Sequence, residues 1–124
     1  EPSMKHNFKK IEPKWQKKWE EQQAFKAVDG SDKPKFYGLV EFPYPSGAGM
    51  HVGHIKAYSS IEDFQKEKNA GNNVLFPIGF DAFGLPTENY AIKTNTHPRE
   101  ITDQNIAKFT NQLKSVGFSL TGAV

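Results

Sequence analysis

Two histidines, His51 and His54, lie three residues apart at the end of a stretch rich in glycine and proline, residues 42–54 (FPYPSGAGMHVGH). Residues three apart lie on one side of a helix, so both imidazoles face the same way where a helix begins here. Glycine lets a ligand approach the backbone closely, proline fixes φ, and a helix N-terminus carries N–H groups that lack intrahelical acceptors. The stretch therefore predicts a binding site for an anion.

Four roles are open to this histidine pair. It could bind a metal ion, although the chain has no cysteine and the turn has no acidic third ligand. It could act as the general base of a nucleophile, although no serine or cysteine motif accompanies it. It could donate hydrogen bonds to a phosphate that gains charge in a transition state, which the glycines and the helix start favour. Finally, the histidines could simply cap the helix. The stretch is neither a Rossmann Gly-x-Gly-x-x-Gly fingerprint nor a Walker loop.

Asp81 is the other residue whose position suggests chemistry, because it lies between Phe80 and Phe83 directly after an apolar segment. A carboxylate in apolar surroundings needs a partner. Two roles are open to it: it could bind the amino group of a small ligand, or it could cap the backbone that follows. Tyr44 would offer such a ligand an aromatic wall with a polar tip.

The elements that must position these residues form a βαβ unit. Residues 35–42 are aromatic and almost continuously apolar, which predicts a strand buried on both faces. Residues 52–69 are predicted to be a helix, with lysines near its C-terminal end, and residues 73–78 a second strand. Ligands bind beyond the carboxyl ends of parallel strands, so residues 42–54 and 79–86 should line one crevice.

An amphipathic helix is predicted before this unit, over residues 11–25. Ile11, Trp15 and Trp19 form its apolar stripe. We interpret the tryptophans as its buried face, and stacking on nucleic-acid bases is the alternative. Lysines crowd the same region: Lys5, Lys9, Lys10, Lys14, Lys17 and Lys18. A solvated helix face is the ordinary explanation for such a run, and contact with a polyanion is the alternative.

Two more helices are predicted after the unit. Residues 86–93 open with a proline at an early position, and residues 96–98 end that helix. The next helix is predicted to begin with Thr102 as its N-cap and to end before Gly117. The fold class predicted is α/β: half of a Rossmann-like nucleotide-binding fold, a parallel βαβ with flanking helices, truncated.

Composition sets further bounds on the 124-residue chain. Its net charge of +2 permits a nucleic-acid partner without indicating one. It has no cysteines, which excludes disulfides and thiolate metal sites and fits a reducing cytoplasm. No apolar run reaches the roughly 18 residues that a membrane span needs, so no membrane partner is expected. Residues 1–3, which precede Met4, look like an expression remnant and are excluded from the fold reasoning.

These residues resemble class I aminoacyl-tRNA synthetases. Residues 51–54 match the family's first signature, His-x-Gly-His at a helix start. The flanking residues 42–47 (FPYPSG) and 79–89 (GFDAFGLPTEN) are similar to the leucyl-tRNA synthetases in particular, whereas the isoleucine and valine enzymes differ in these segments. The resemblance covers nearly all of residues 4–119.

The resemblance implies a leucine–tRNA ligase, which joins leucine to AMP with release of pyrophosphate and then passes leucine to the 3′ end of tRNA(Leu). ATP would be bound together with Mg²⁺, without a metal bound by the protein itself. The implied histidine role is contact with ATP and stabilisation of its α-phosphate. The implied site residues are His51 and His54 as catalytic and ATP-binding groups, Gly49 and Gly53 as ATP-binding, and Phe42, Tyr44 and Asp81 as amino-acid-binding.

The chain also departs from the family's pattern. Phe80 stands where the family usually has Trp or Tyr, and residues 120–124 lack the expected Asp-Trp-x-Arg. The second signature, a Lys-rich loop ending in Lys-Ser, is missing, as are the editing and anticodon-binding domains. We therefore expect residues 4–124 to be the N-terminal part of a catalytic domain, with little or no turnover of its own. A non-catalytic half-Rossmann module that binds a nucleotide or RNA is the alternative. Exposed sheet edges would favour self-association.

Overall fold

The computed structural model describes residues 6–45 and 49–121. Six elements follow along the chain: α1 (Phe8–Glu21), β1 (Lys35–Tyr37), α2 (Val52–Asn69), β2 (Asn73–Leu75), α3 (Leu85–Thr94) and α4 (Pro98–Val116). The interpretations that concern residues 1–5, 46–48 and 122–124 lie outside the described residues. Among the helices that are described, none combines the length and the apolar character needed to cross a membrane.

The two strands form a parallel sheet, with Lys35 opposite Asn73 and Tyr37 opposite Leu75. The backbone N–H of Gly38 donates to the Leu75 carbonyl at 3.0 Å, which extends the ladder one residue past β1. Helix α2 connects the strands, as a parallel pair requires. The predicted βαβ unit and the α/β fold class are confirmed.

Both strands are shorter than predicted, and the prediction that β1 is buried on both faces is wrong. Tyr37 is 60% exposed, and Leu39, just beyond the strand, is 56% exposed. A strand is buried on both faces only where other elements pack on both faces of its sheet, and these two side chains lie in water instead. Phe36 is only half-buried, and its ring centroid lies 5.4 Å from that of Phe64 in α2, in an edge-on arrangement. Strand β2 ends two residues before Pro77, which has no N–H to donate.

The helices after β2 agree with the prediction except at the start of α4. Thr102 is not its N-cap, because the helix begins at Pro98. His97 is the N-cap, and its Nδ1 accepts from the Arg99 N–H at 3.2 Å. Proline fits the first helical position because no acceptor is available to an N–H there. Thr102 is instead buried inside the helix, which ends at Gly117 with φ +79°, as predicted.

Helix α1 lies on α4 without burying any of its residues. Trp15 is 41% exposed, so the prediction of a buried tryptophan face is wrong in this chain. The two helices are joined by polar contacts, among them the 2.8 Å ion pair between Lys114 and Glu20. Between them lies a cavity of about 760 Å³, whose lining includes Trp19 and Leu113 but none of the predicted site residues.

The core lies between α2, the segment that follows β2, and α4. Tyr58, Ile78, Leu113 and Phe118 form its buried cluster. Phe109 is also buried and lies one turn before Leu113 on α4. Helix α4 therefore packs against both α2 and the exit of β2, which are the two places where the sequence predicts site residues.

Candidate functional site

His51 and His54 form a reciprocal capping box at the N-terminus of α2. Nδ1 of His51 accepts from the Gly53 N–H at 3.1 Å, and Nδ1 of His54 accepts from the His51 N–H at 3.2 Å. Two of the amides that a helix start leaves without partners are thereby satisfied. The capping role considered for the histidines is therefore present.

The two caps need an unprotonated Nδ1 on each imidazole. A ring nitrogen accepts a hydrogen bond only when it carries no proton, so in the capped arrangement each ring carries its proton on Nε2. The rings of His51 and His54 stack with centroids 3.9 Å apart and planes 21° apart. Both Nε2–H groups lie outside the capping bonds, so both remain hydrogen-bond donors for a ligand.

The surroundings of His54 also favour its neutral form. Its ring centroid lies 5.9 Å from that of Tyr58 and 6.0 Å from that of Phe109. Burial among these rings, followed by the charge of His51, lowers the pKa of His54 below its ordinary value of 6.5. His51 itself is exposed. The pair thus combines one packed and one solvent-facing imidazole.

Glycine is required on both sides of His51. A Cβ on Gly53 would lie 2.9 Å from Cε1 and Nδ1 of the His51 ring, so a side chain there would push the cap away. Gly49 has φ +124°, and a Cβ there would lie 2.7 Å from Oε1 of Gln112. Both glycines therefore allow close packing within the turn. That they also make room for a nucleotide stays a prediction.

The predicted amino-acid-binding residues lie on two adjacent segments. The N–H of Asp81 donates to the Pro43 carbonyl at 3.0 Å, which joins the segment after β1 to the segment after β2. The ring of Phe42 covers Gly79, where a Cβ would come within 3.3 Å of it. The Tyr44 ring covers Gly84 in the same way, at 2.9 Å. Phe42, Tyr44 and Asp81 are thus brought together, beyond the carboxyl ends of the two strands.

Asp81 is exposed, so the apolar surroundings expected for it are not found. The reason is that Phe83 points to solvent and is 91% exposed. The neighbour of the Asp81 carboxylate is Tyr44 instead. Hydrogen bonding with the Asp81 carboxylate, followed by the charge of that carboxylate, raises the pKa of the Tyr44 phenol. The site therefore pairs an accessible carboxylate with a phenol.

Helix α4 contributes residues that the sequence reasoning missed. Phe109 joins the two halves of the site, since its ring contacts His54 and also lies 6.1 Å from the ring of Phe80. Gln112 accepts from the Met50 N–H at 2.9 Å, next to His51. Phe109 belongs to an apolar stripe that predicts burial, but nothing in the sequence near Gln112 indicates this contact. Among the described residues, no three His, Cys, Asp or Glu side chains cluster as metal ligands.

Comparison with known proteins adds sequence relationships to this geometry. The family model for tRNA synthetases class I (I, L, M and V) matches residues 14–121. The leucine–tRNA ligase of Alkaliphilus oremlandii is 53% identical over 115 residues, which are 92% of this chain and 14% of that protein. The leucine–tRNA ligase of Chlorobaculum parvum is 51% identical over 117 residues, which are 94% of this chain and 14% of that protein.

A solved structure shares the fold. The crystal structure of an Agrobacterium radiobacter K84 LeuRS in a ternary complex with tRNA and LeuAMS matches with a TM-score of 0.90 and 35% identity, covering 97% of this chain and 16% of that chain. The chain thus spans about 14% of the length of the leucine–tRNA ligases that it matches. The resemblance to leucyl-tRNA synthetases is confirmed, and the chain belongs to the class I tRNA synthetases.

Proposed function

We propose that this chain supplies one side of the active site of an ATP-dependent leucine–tRNA ligase. The observation that carries the proposal is the His51–His54 capping box at the start of α2. It leaves two Nε2–H donors at the N-terminal, positive end of the helix dipole, which together suit a phosphate. The identity of 53% with a leucine–tRNA ligase supports this reaction over others.

In the first step, a carboxylate oxygen of leucine would attack the α-phosphorus of ATP. The bond from that phosphorus to the bridging oxygen breaks, and pyrophosphate leaves with the electron pair. Negative charge develops on the α-phosphate oxygens, where hydrogen bonds from His51 and His54 would strengthen. Neither histidine needs to exchange a proton in this step, so an imidazole that caps the helix through Nδ1 can still donate through its Nε2–H. Gly49 and Gly53 would let the nucleotide lie against the backbone.

Leucine would bind at the adjacent segments, with its α-ammonium on Asp81. The carboxylate is exposed and close to the Tyr44 phenol, so a cation can approach it from solvent. An ammonium beside a carboxylate forms a charge-assisted hydrogen bond, the strongest kind that this site could offer. Phe42 and Tyr44 would contact the ligand with their rings.

The remaining partners follow from the reaction. Mg²⁺ would be bound through the phosphate oxygens of ATP, since the described residues hold no cluster of acidic ligands. The activated leucine would pass to tRNA(Leu), and a related LeuRS has been solved together with tRNA. We place the protein in the cytoplasm, which the absence of cysteine fits.

Calorimetric titration of the chain with LeuAMS, an analogue of leucyl-adenylate, tests the proposal. We expect saturable binding that Asp81→Asn and His54→Ala each weaken by about tenfold or more, because each removes a charge-assisted contact. His6→Ala is the matched control, since His6 is exposed and lies before α1. No detectable binding at millimolar LeuAMS, or equal binding of the valine analogue, would overturn the proposal. Leucine-dependent ATP–pyrophosphate exchange then separates catalysis from binding alone, and little exchange is expected from the chain by itself.

A further inference from the structure

One face of α4 contacts the backbone of Pro45 and of Met50, which lie before and after residues 46–48 in the sequence. Nδ2 of Asn105 donates to the Pro45 carbonyl at 2.8 Å. Oε1 of Gln112 accepts from the Met50 N–H at 2.9 Å. Gln112 lies seven positions after Asn105, which is about two helical turns and about 10 Å along the axis. The two amide side chains therefore contact two backbone points, Pro45 and Met50, that lie close in sequence.

Phe109 lies between these two amides on the same face of α4. Residues 105, 109 and 112 follow the i, i+4, i+7 spacing of a single helical face. The buried Phe109 ring packs edge-on against the ring of His54, at 6.0 Å and 70°. A single face of α4 thus contacts the backbone of Pro45, the backbone of Met50 and the ring of His54.

The Gln112 contact acts on the residue that precedes the helix cap. The Met50 N–H belongs to the peptide group between Gly49 and Met50, so holding it restricts the chain one residue before His51. A Cβ on Gly49 would lie 2.7 Å from Oε1 of Gln112, so a side chain there would displace this amide. The hydrogen bond between Met50 and Gln112 joins residues 62 positions apart, so it depends on how α4 packs and not on the local sequence.

We propose that Asn105 and Gln112 are positioning residues, which hold the backbone of Pro45 and Met50 against α4 and thereby orient His51 and His54 toward the phosphate. The effect that we expect these two residues to have on ligand binding rests on the proposed function. The orientation of the two imidazoles in the free chain is independent of that function. The two can therefore be tested separately.

The first test follows the imidazoles in the free chain by NMR. Gln112→Met keeps the size of the side chain but removes the acceptor, whereas Gln112→Glu keeps an acceptor oxygen. We expect Gln112→Met to shift the His51 and His54 imidazole resonances and to speed amide exchange at Met50 by about fivefold or more, the loss expected for one hydrogen bond. Gln112→Glu should keep the Met50 protection.

Gln104→Ala is the control, because Gln104 is an exposed glutamine of α4. It should leave both imidazoles and the Met50 amide as in the unchanged chain. Imidazole resonances of Gln112→Met that match those of Gln104→Ala would overturn the assignment, whatever the stability of the variant. Equal loss of Met50 protection in Gln112→Met and Gln112→Glu would overturn it as well.

The second test is LeuAMS affinity. Asn105→Ala and Gln112→Met should each weaken binding by about fivefold. Asn111→Ala, which changes an exposed asparagine of the same helix, should not weaken it. Binding that neither variant changes would overturn the positioning role. An unchanged chain that fails to bind LeuAMS would overturn the proposed function instead, and the imidazole resonances would still decide the positioning role.

Discussion

His54 meets two requirements that favour the same protonation state. Its Nδ1 must stay unprotonated to accept the His51 N–H, and its ring packs against Tyr58 and Phe109. Both the cap and the burial disfavour a positive charge. A ring that caps the helix start through Nδ1 keeps its Nε2–H, so capping is compatible with the phosphate contact that we propose for His54.

The lowered pKa of His54 predicts a pH dependence of stability. The unfolded chain binds a proton at this residue near pH 6.5, whereas the folded chain does so only at lower pH. The unfolded state therefore holds more protons in this window, and the free energy of unfolding falls as the pH drops below about 6.5. The stabilisation is fully present above that pH and is lost as the pH falls through the folded pKa.

Thermal unfolding at pH 5.5 and 7.5 tests this expectation. The unfolding temperature should be lower at pH 5.5, and His54→Gln should reduce the difference because Gln does not titrate. His6→Gln, which changes an exposed histidine, should keep the difference. A pH dependence that survives in His54→Gln and disappears in His6→Gln would contradict the assignment.

The residues of the site differ in how far the sequence reveals them. His51, Gly53 and His54 lie within four positions, so their relation is a matter of local helix geometry. Asp81 could be placed near the turn because parallel strands bring their carboxyl ends together. Gln112 could not, because its contact with Met50 depends on how α4 packs, and an exposed-looking glutamine carries no pattern that predicts such packing.

Among the elements, α2 was predicted with the boundaries that the structure shows, residues 52–69. Its ends are marked by local signals, a histidine cap at one end and lysines near the other. The start of α4 was missed because proline fits both a helix break and a first helical position, and Pro98 takes the second. The burial of β1 was overestimated because it depends on neighbours that an apolar run does not reveal.

The close contact between β1 and α2 gives a prediction at this scale. Gly38 follows β1 and lies against the side-chain amide of Gln65, which is 1% exposed, so a Cβ there would overlap it. Gly38→Ala should lower the free energy of unfolding by about 1–3 kcal/mol, the usual cost of overpacking. Denaturant unfolding measures it.

Gly71→Ala is the control for this change, because a Cβ on Gly71 meets open space. It should change the free energy of unfolding by no more than about 0.5 kcal/mol. Combining Gly38→Ala with Gln65→Ala should cost less than the sum of the two single changes, because the truncated side chain makes room. Additive costs would show that the overlap with Gln65 is not the cause.

At the scale of the whole molecule, the described residues form a narrow sheet with much apolar surface left in water. Tyr37, Leu39 and Leu75 are exposed on or next to the two strands. The sheet contains β1 and β2 alone in this part of the chain, so each strand has a partner on one edge. On the side of β2, just beyond the strand, the N–H of Thr121 donates to the Phe76 carbonyl at 2.8 Å. The edge of β1 is therefore the more open of the two.

An open strand edge with exposed apolar side chains is a template for pairing with another chain. We therefore expect the chain to self-associate, with a sedimentation coefficient that rises with concentration. Tyr37→Lys should lower this association, because a lysine on an edge strand brings like charges together when two copies pair.

Tyr90→Lys is the matched control, since Tyr90 is similarly exposed but lies on α3. Sedimentation as a monomer at every concentration would contradict the expectation. An equal loss of association in both variants would show that general charge, and not the β1 edge, governs it.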